Sequence, residues 1–544
     1  VRCSLPNLHM SQSQESDAQV FRYLYDFCCL ISRLTLNHVD SIIDAAVQKY
    51  CDQEEAMKNW QYDDYLVNEL RLIVHERIKD LTLVTTESCY PDLHHSNGAT
   101  AECRRGVGLE TKYKNIRIPK ELYSVFSRCT GLDLLEWPGV TLCNHEELVS
   151  KTLFVPKGID KKRVISPGTT GLIWFQNAVF RALDELFKLH PEFNIDLHDQ
   201  EKSRRLVVQA AQNGTMATID LSSASDSVTW KLVEQLFIGT EWHDILKFSR
   251  AKYTVLPDDQ VIELAKAYPM GDPLCFPMQC LVFSSICELA CRLMGVNADY
   301  RIYGDDIEVE YSIYKCVVWL LTRLHFTVNN EKSFSPAEFF KESCGMESFF
   351  GYDVSPCRIS RRFDIVAVES AKSYNISPAI LGAVELHNRF HKYGYNTLAK
   401  HLSNVILQKV PFLPYIQDET KFGLLCSVAK NDHLASLHND KFRVKLYSSV
   451  GRKGRRKKKI REKDLLRWNS LLQRFEVLTP VWSLKRNSQS SSIRYFEALR
   501  TLDRRSAHSM VEQPLNVYVG HTKDMVCKWK YTNDICVRMR EPLR

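Results

Sequence analysis

Two adjacent aspartates at the tip of a short hairpin constrain this chain more than any other feature. Residues Asp299-Tyr300-Arg301-Ile302-Tyr303-Gly304-Asp305-Asp306-Ile307-Glu308-Val309-Glu310 read as two β-type runs with a tight break between them. Tyr300, Ile302, Ile307 and Val309 alternate with polar neighbours, which is strand periodicity. Gly304-Asp305 is turn chemistry: glycine accepts backbone angles that other residues resist, and aspartate tolerates turns. The hairpin therefore presents two carboxylates side by side. Such anions repel unless a cation sits between them, and a hard divalent ion that prefers oxygen ligands, magnesium above all, suits them. An isolated Asp-Asp pair is more often a solvated acidic turn, so its company decides.

That company begins upstream. Met216-Ala217-Thr218-Ile219-Asp220-Leu221-Ser222-Ser223-Ala224-Ser225-Asp226-Ser227 reads as an apolar strand ending in Asp220, followed by small hydroxyl residues and Asp226. A carboxylate at a strand end is well placed to bind a metal, and the small residues leave room for a substrate. Ser225 or Asp226 also reads as the cap of the next helix, which carries Trp230, Leu232, Val233 and Leu236. The stretch 154–168 sets Lys157, Lys161, Lys162 and Arg163 between short β-branched runs, as in a basic hairpin; such cations suit a triphosphate, or merely a charged surface tip. Gly271, in a Gly/Pro-bearing loop at 269–279, leads into an apolar core helix from about Gln279 to Met294. After the aspartate hairpin come a helix at 317–326, the segment 328–334 and a short hairpin at 342–354.

Composition narrows the class. The 544 residues are 44% hydrophobic and 25% charged, which is globular usage, and no run of about 18 apolar residues predicts a membrane span. The chain opens on Val1 with no signal-type apolar core, which fits a truncated frame or a non-standard start. The net charge of +7 is concentrated. Arg452, Lys453, Arg455, Arg456, Lys457, Lys458 and Lys459 form a cationic block that suits a polyanion such as nucleic acid, with a solvated loop as the plainer reading. The 18 cysteines make no C-x-x-C pair, which fits small core residues in a reducing compartment. His94-His95, with Cys89 and Cys103 in reach, match no usual zinc spacing. Helices are expected over 15–50 and 65–81, and a largely helical chain after residue 366.

A strand-end aspartate, an Asp-Asp hairpin, a glycine loop between them and a basic hairpin upstream form the layout of a two-metal phosphoryl-transfer site. The stretches MATIDLSSASDS, YRIYGDDIEVE, FTVNNEKSF, KESCGMESFFGYDVSP and IDLHDQ, in residues 150–360 or so, resemble the RNA-directed RNA polymerase, or replicase beta subunit, of levivirus-type single-stranded RNA bacteriophages. The resemblance implies an α+β right-hand fold with an antiparallel palm sheet. It places a helical N-terminal region and part of the fingers in 1–150, fingers in 151–213, palm in 214–365, and a helical thumb with a basic C-terminal region in 366–544. It implies Asp220, Asp305 and Asp306 as catalytic ligands of two Mg2+ ions, with Mn2+ as a substitute. Lys157, Arg163, Arg205, Asp226, Gly271 and Lys332 would bind the nucleotide, Asp226 near the ribose and Lys332 near the pyrophosphate. Implied partners are an RNA template and product, ribonucleoside triphosphates, and the host elongation factors Tu and Ts with a small-subunit ribosomal protein, in the cytoplasm of an infected bacterium.

The chain departs from the family where relatives carry G-N-G-F-T-F-E and this sequence has Gly271-Asp272-Pro273-Leu274-Cys275-Phe276-Pro277, and where Ser166 replaces a familiar acidic residue. A reverse transcriptase, which shares a Tyr-x-Asp-Asp hairpin, and a non-catalytic RNA-binding protein acting through 452–463 are the alternatives. A pure binder, however, has no use for converging carboxylates that repel phosphate.

Overall fold

The computed structural model describes residues 13–30, 40–81, 98–105, 111–112, 116–130, 140–156, 162–359, 363–371, 375–376, 378–410, 413, 415–417 and 423–426, and five strands beyond them at 444–448, 466–469, 474–486, 521–530 and 535–539. The chain divides into two compact units. One comprises Val1–Leu24, Asn37–Ser355 and Arg486–His521; the other comprises Tyr25–Leu36, Pro356–Lys485 and Thr522–Arg544.

The first unit is built around the helix Cys275–Met294, whose residues are nearly all buried from Pro277 to Cys291. An all-round apolar helix must be enclosed. It packs against the helices Asp64–Ile78 and Tyr311–Arg323 and the strand Tyr300–Tyr303. It is long and apolar enough to cross a membrane, yet 78% of its most apolar window is buried inside the protein. The sequence places this helix's start near Gln279; it begins one turn earlier, at Cys275, which brings Phe276 into it.

Against this helix lies an antiparallel sheet in which Asp306–Glu310 sits between Met216–Ile219 and Tyr300–Tyr303. Ile219, Ile307 and Ile302 stand in one cross-strand row and are 2% exposed or less. The segment 328–334 continues the sheet beyond Met216–Ile219 through single bridges, Thr218 to Phe334 and Leu221 to Val328. The polar face of that alternation is covered as well. The helix Gln200–Asn213 and the strand Phe340–Ser343 lie on it, and Arg301 and Glu308 are buried in the process.

The α+β class and the antiparallel sheet are as expected. The basic stretch forms the expected hairpin, with Leu153–Pro156 antiparallel to Lys162–Ile165. The segment expected as a hairpin at 342–354 is a three-strand meander, Phe340–Ser343, Met346–Phe349 and Tyr352–Asp353.

In the second unit the helices Pro378–Lys392 and Asn396–Lys409 pack on each other around Ile380, Val384, Leu402 and Ile406. Buried Asp26 accepts hydrogen bonds from the Cys357 backbone N–H and the Tyr395 hydroxyl. Among the described residues, helices after 366 run to Lys409, and the regular elements beyond them are strands, among them Val444–Ser448 paired with Ile535–Met539, and Leu466–Asn469 with Arg474–Arg486. Strand pairing across some ninety residues is a long-range choice that local periodicity does not announce.

Candidate active site

Gly304 and Asp305 form the two-residue turn between the strands, and Tyr303 and Asp306 are its closing pair. Gly304 adopts φ +67°, and a Cβ there would lie 2.4 Å from Cε2 of Phe276, so both conformation and space require glycine. The core helix fixes the turn from below: the Gly304 N–H donates to Cys280 Sγ at 3.2 Å, and the Phe276 ring meets Tyr303 edge-on at 5.1 Å.

The register does the rest. Ile307 pairs with Ile219 and Glu308 with Thr218 in an antiparallel ladder. One step further along, Asp306 faces Asp220. Directly opposed side chains on one sheet face have Cβ atoms about 4.5–5.5 Å apart, so residues distant in sequence become neighbours. Asp305, Asp306 and Asp220 feel one another's charge. Burial pushes the Asp306 carboxyl up to about 6, and Asp305 and Asp220 add to the effect while a hydrogen bond from the Cys344 backbone opposes it. Asp220 is raised too, chiefly by burial and further by Asp305, although Lys332 and Asn329 pull it down.

Asp220 is held from an unexpected side. The Asn329 side-chain amide donates to Asp220 Oδ2 at 2.8 Å, the Asn329 N–H donates to the Asp220 carbonyl at 2.9 Å, and Ser333 Oγ accepts from the Asp220 N–H at 3.0 Å. Asn329 and Ser333 are partners of Asp220 that the sequence reading missed, although they flank Lys332. An Asn two residues before Glu331, whose N–H its side chain accepts, is an Asx-turn signal. Lys332 is half exposed, lies 3.3 Å from Glu342 Oε1, and helps to hold Asp220 down.

The other expected positions distribute unevenly. Asp226 Oδ1 lies 2.7 Å from the buried Lys266 ammonium. It does not cap the following helix, and neither does Ser225: Thr229 does, accepting from the Leu232 N–H at 3.1 Å. Gly271 has φ +115°, and a Cβ there would stand 2.9 Å from the Pro167 backbone nitrogen, so its glycine serves a close backbone crossing. Asp272, the departure from the family pattern, points inward. It accepts from the Gly168 N–H at 2.8 Å and from Gln176 Nε2 at 3.2 Å, and burial lifts it to about 7. Arg163 is exposed on the basic hairpin opposite Val155. Arg205 is exposed on Gln200–Asn213, its Nε donating to the Glu201 carbonyl; the structure records no contact of either arginine with the aspartates. Lys157, the cationic block 452–459, His94, His95 and Cys89 lie outside the described residues.

Three neighbouring carboxylates, with the proton affinity of Asp220 and Asp306 raised, form a donor set suited to a hard cation. Among the described residues no group of three His, Cys, Asp or Glu side chains is gathered tightly enough to hold an ion alone.

The family model described as RNA replicase, beta-chain, matches residues 39–368, more than half of the chain. The RNA-directed RNA polymerase subunit beta of Enterobacteria phage SP is 34% identical over 219 residues, covering 40% of this chain and 37% of its own. The protein of that name from Escherichia virus Qbeta is 30% identical over 280 residues, covering 50% and 47%. The chain thus aligns with less than half the length of these curated relatives. Among solved structures, the RNA-dependent RNA polymerase of a human picobirnavirus is similar at a TM-score of 0.46 with 12% identity, covering 73% of this chain and 79% of the other.

Proposed function

The chain belongs to the RNA replicase beta-chain family, and from that premise we propose that it is an RNA-directed RNA polymerase that copies a single-stranded RNA phage genome by two-metal nucleotidyl transfer. The α+β right-hand class expected from the motifs goes with that family. The observation that carries the reading is the ladder register that sets Asp220 opposite Asp306, beside Asp305.

In this reading Asp220, Asp305 and Asp306 hold magnesium, or manganese in its place. The bound ions would offset charge on the attacking 3′-oxygen and the leaving pyrophosphate. Asn329 and Ser333 keep Asp220 in place. Lys332, with the basic hairpin at Lys157 and Arg163, supplies positive charge for the triphosphate, and Arg205 faces the template or nucleotide. Asp226 lies beside the ribose, where a 2′-hydroxyl distinguishes RNA from DNA precursors. The cationic block 452–459 contacts RNA. Residues 1–150 with 151–213, then 214–365, then 366–544 serve as fingers, palm and thumb. The relatives' name, subunit beta, supports work within an assembly; we take its other members to be host elongation factors Tu and Ts and a small-subunit ribosomal protein, in the bacterial cytoplasm.

The test is primed RNA synthesis by the full chain with Mg2+, with and without bacterial extract. Asp305→Asn and Asp306→Asn abolish synthesis, and ribonucleotides are used over deoxyribonucleotides, which separates a replicase from a reverse transcriptase. A variant as active as the parent sinks the assignment.

A further inference from the structure

Lys266 has no solvent access, yet its side chain ends in a charge. A buried ammonium is costly unless anions meet it, and here two do. Asp226 Oδ1 stands 2.7 Å from Nζ as a hydrogen-bonded pair. Glu54 Oε1 stands 2.8 Å away, near enough for an ion pair but off the hydrogen-bonding direction. The Tyr50 ring lies beneath, its centre 3.9 Å from Nζ, an arrangement that favours a cation.

Three parts of the chain make this clamp. Tyr50 and Glu54 come from the helix Asp40–Lys58, Asp226 from the turn after Asp220, and Lys266 from the segment after Val261–Glu263. Each is tied down. Glu54 Oε2 accepts from the Ala265 N–H at 2.6 Å. The Trp230 N–H donates to the Ala265 carbonyl, and the Ala267 N–H to the Val228 carbonyl, both at 2.8 Å, which straps the backbone of Lys266 to the chain just past Asp226. Tyr50 hydrogen-bonds Ser166 through its hydroxyl at 3.1 Å. Although burial alone would favour the neutral amine, Asp226, Tyr50 and Glu54 hold Lys266 charged, above the usual lysine range.

One ammonium faces two carboxylates, and Glu54 also feels the buried Arg250 guanidinium. Glu54 is 2% exposed, whereas the Asp226 side chain is 15% exposed, so of the two carboxylates only Asp226 reaches solvent. Its oxygen not taken by Lys266 is therefore an oriented acceptor at the surface. A carboxylate oxygen accepts from a hydroxyl donor and repels phosphate. Asp226 stands six residues past Asp220, on the turn leaving that strand.

We infer that Lys266, clamped by Glu54 and Tyr50, is a positioning residue that aims the Asp226 carboxylate at a ribose hydroxyl of the incoming nucleotide. This rests on the polymerase reading. The competing explanation is that the cluster only packs the helix Asp40–Lys58 onto the unit. Packing alone changes ribo- and deoxyribonucleotides alike; aiming changes their ratio.

The experiment compares GTP with 2′-deoxy-GTP on the full chain, first by equilibrium binding and then by incorporation on a primed RNA template. A hydroxyl bonded to a charged acceptor gives the parent a preference for GTP of about tenfold or more. Asp226→Ala brings the ratio close to one. Glu54→Gln keeps an acceptor for the Ala265 N–H but frees Lys266 to draw Asp226 inward, and lowers the ratio by roughly threefold or more. Lys266→Met lowers it further; because that variant leaves two buried carboxylates unpaired and can fail to fold, Glu54→Gln with an unchanged circular dichroism spectrum is the deciding variant. Equal binding of the two nucleotides by the parent, or a Glu54→Gln variant that weakens both without moving the ratio, overturns the inference. A parent that prefers GTP in binding but makes no RNA removes the polymerase reading and leaves the clamp standing.

Discussion

Asp306→Asn should make the first unit more stable while it destroys catalysis. Asp306 sits half-buried at the strand end, facing Asp220 and next to Asp305, and its carboxyl is pushed from 3.8 to about 6, chiefly by burial and then by Asp305. At about 1.4 kcal/mol per pH unit, that displacement is a cost of about 3 kcal/mol to the folded state once the group is ionised. Partial solvent access trims this to about 1–2 kcal/mol. The sign follows from linkage. A carboxyl held above its unfolded-chain value binds its proton more tightly when folded, so its favourable contribution is present below about pH 4 and is lost as pH rises through about 6. Asparagine cannot ionise, and its oxygen still accepts from the Cys344 backbone. The parent and the variant should therefore unfold at similar urea concentrations near pH 4, and the variant should be the more resistant above pH 6.5, in EDTA. Added Mg2+ should close the gap by stabilising the parent alone. Tryptophan fluorescence against urea at pH 4, 6 and 7.5 measures this. A variant no more stable than the parent at pH 7.5, or a gap that does not shrink on acidification, would refute the claim that the tip stores electrostatic repulsion.

Glu308→Gln should keep most activity and stability, because burial holds that carboxyl at about 8 and so protonated at neutral pH; a loss as deep as that of Asp306→Asn in RNA synthesis would contradict it. Gly304→Ala should cost about 2–4 kcal/mol in urea unfolding, from the left-handed backbone and the overlap with Phe276, and should abolish synthesis. Asn329→Ala removes a donor that lowers the Asp220 proton affinity, so Asp220 ionises later; the acid limb of the rate–pH profile should move to higher pH, and an unmoved limb would count against Asn329 as its support.

The parts of the site legible in the sequence are those written in local pattern. Strand alternation and Gly304-Asp305 give the hairpin, and an apolar run that stops at Asp220 marks a strand end. The partners of those residues are set by the fold and were not legible. Asn329 reads as a turn residue until the bridges at Leu221 and Thr218 lay its segment along the Asp220 strand. Lys266 carries no local signal because its two carboxylates come from 212 residues upstream and 40 residues upstream. Ser225 and Asp226 compete with Thr229 for the same helix start, and Thr229 prevails because Asp226 is already engaged by Lys266. Asp272 looks like a lost recognition residue in a motif comparison, yet in space it is a buried brace that ties its loop to Gly168 and Gln176.

Two acids on one strand show why charge concentrates at the hairpin tip. Asp306 and Glu308 point to the same sheet face, two residues apart. Glu308 is roofed by Ser203 and Ser343, both of which donate to its carboxylate, and the interior resolves its charge by keeping the proton. The roof thins toward Asp306, which remains partly open and ionises near neutrality. The fold thus silences the inner acid and leaves the outer ones, Asp306 and Asp220, charged and without enough cationic side chains to balance them, since Lys332 is shared with Glu342. A sheet end that keeps Asp306 ionised above about pH 6 beside Asp220, on a backbone pinned by Cys280 and Asn329, is a surface suited to a cation from solution.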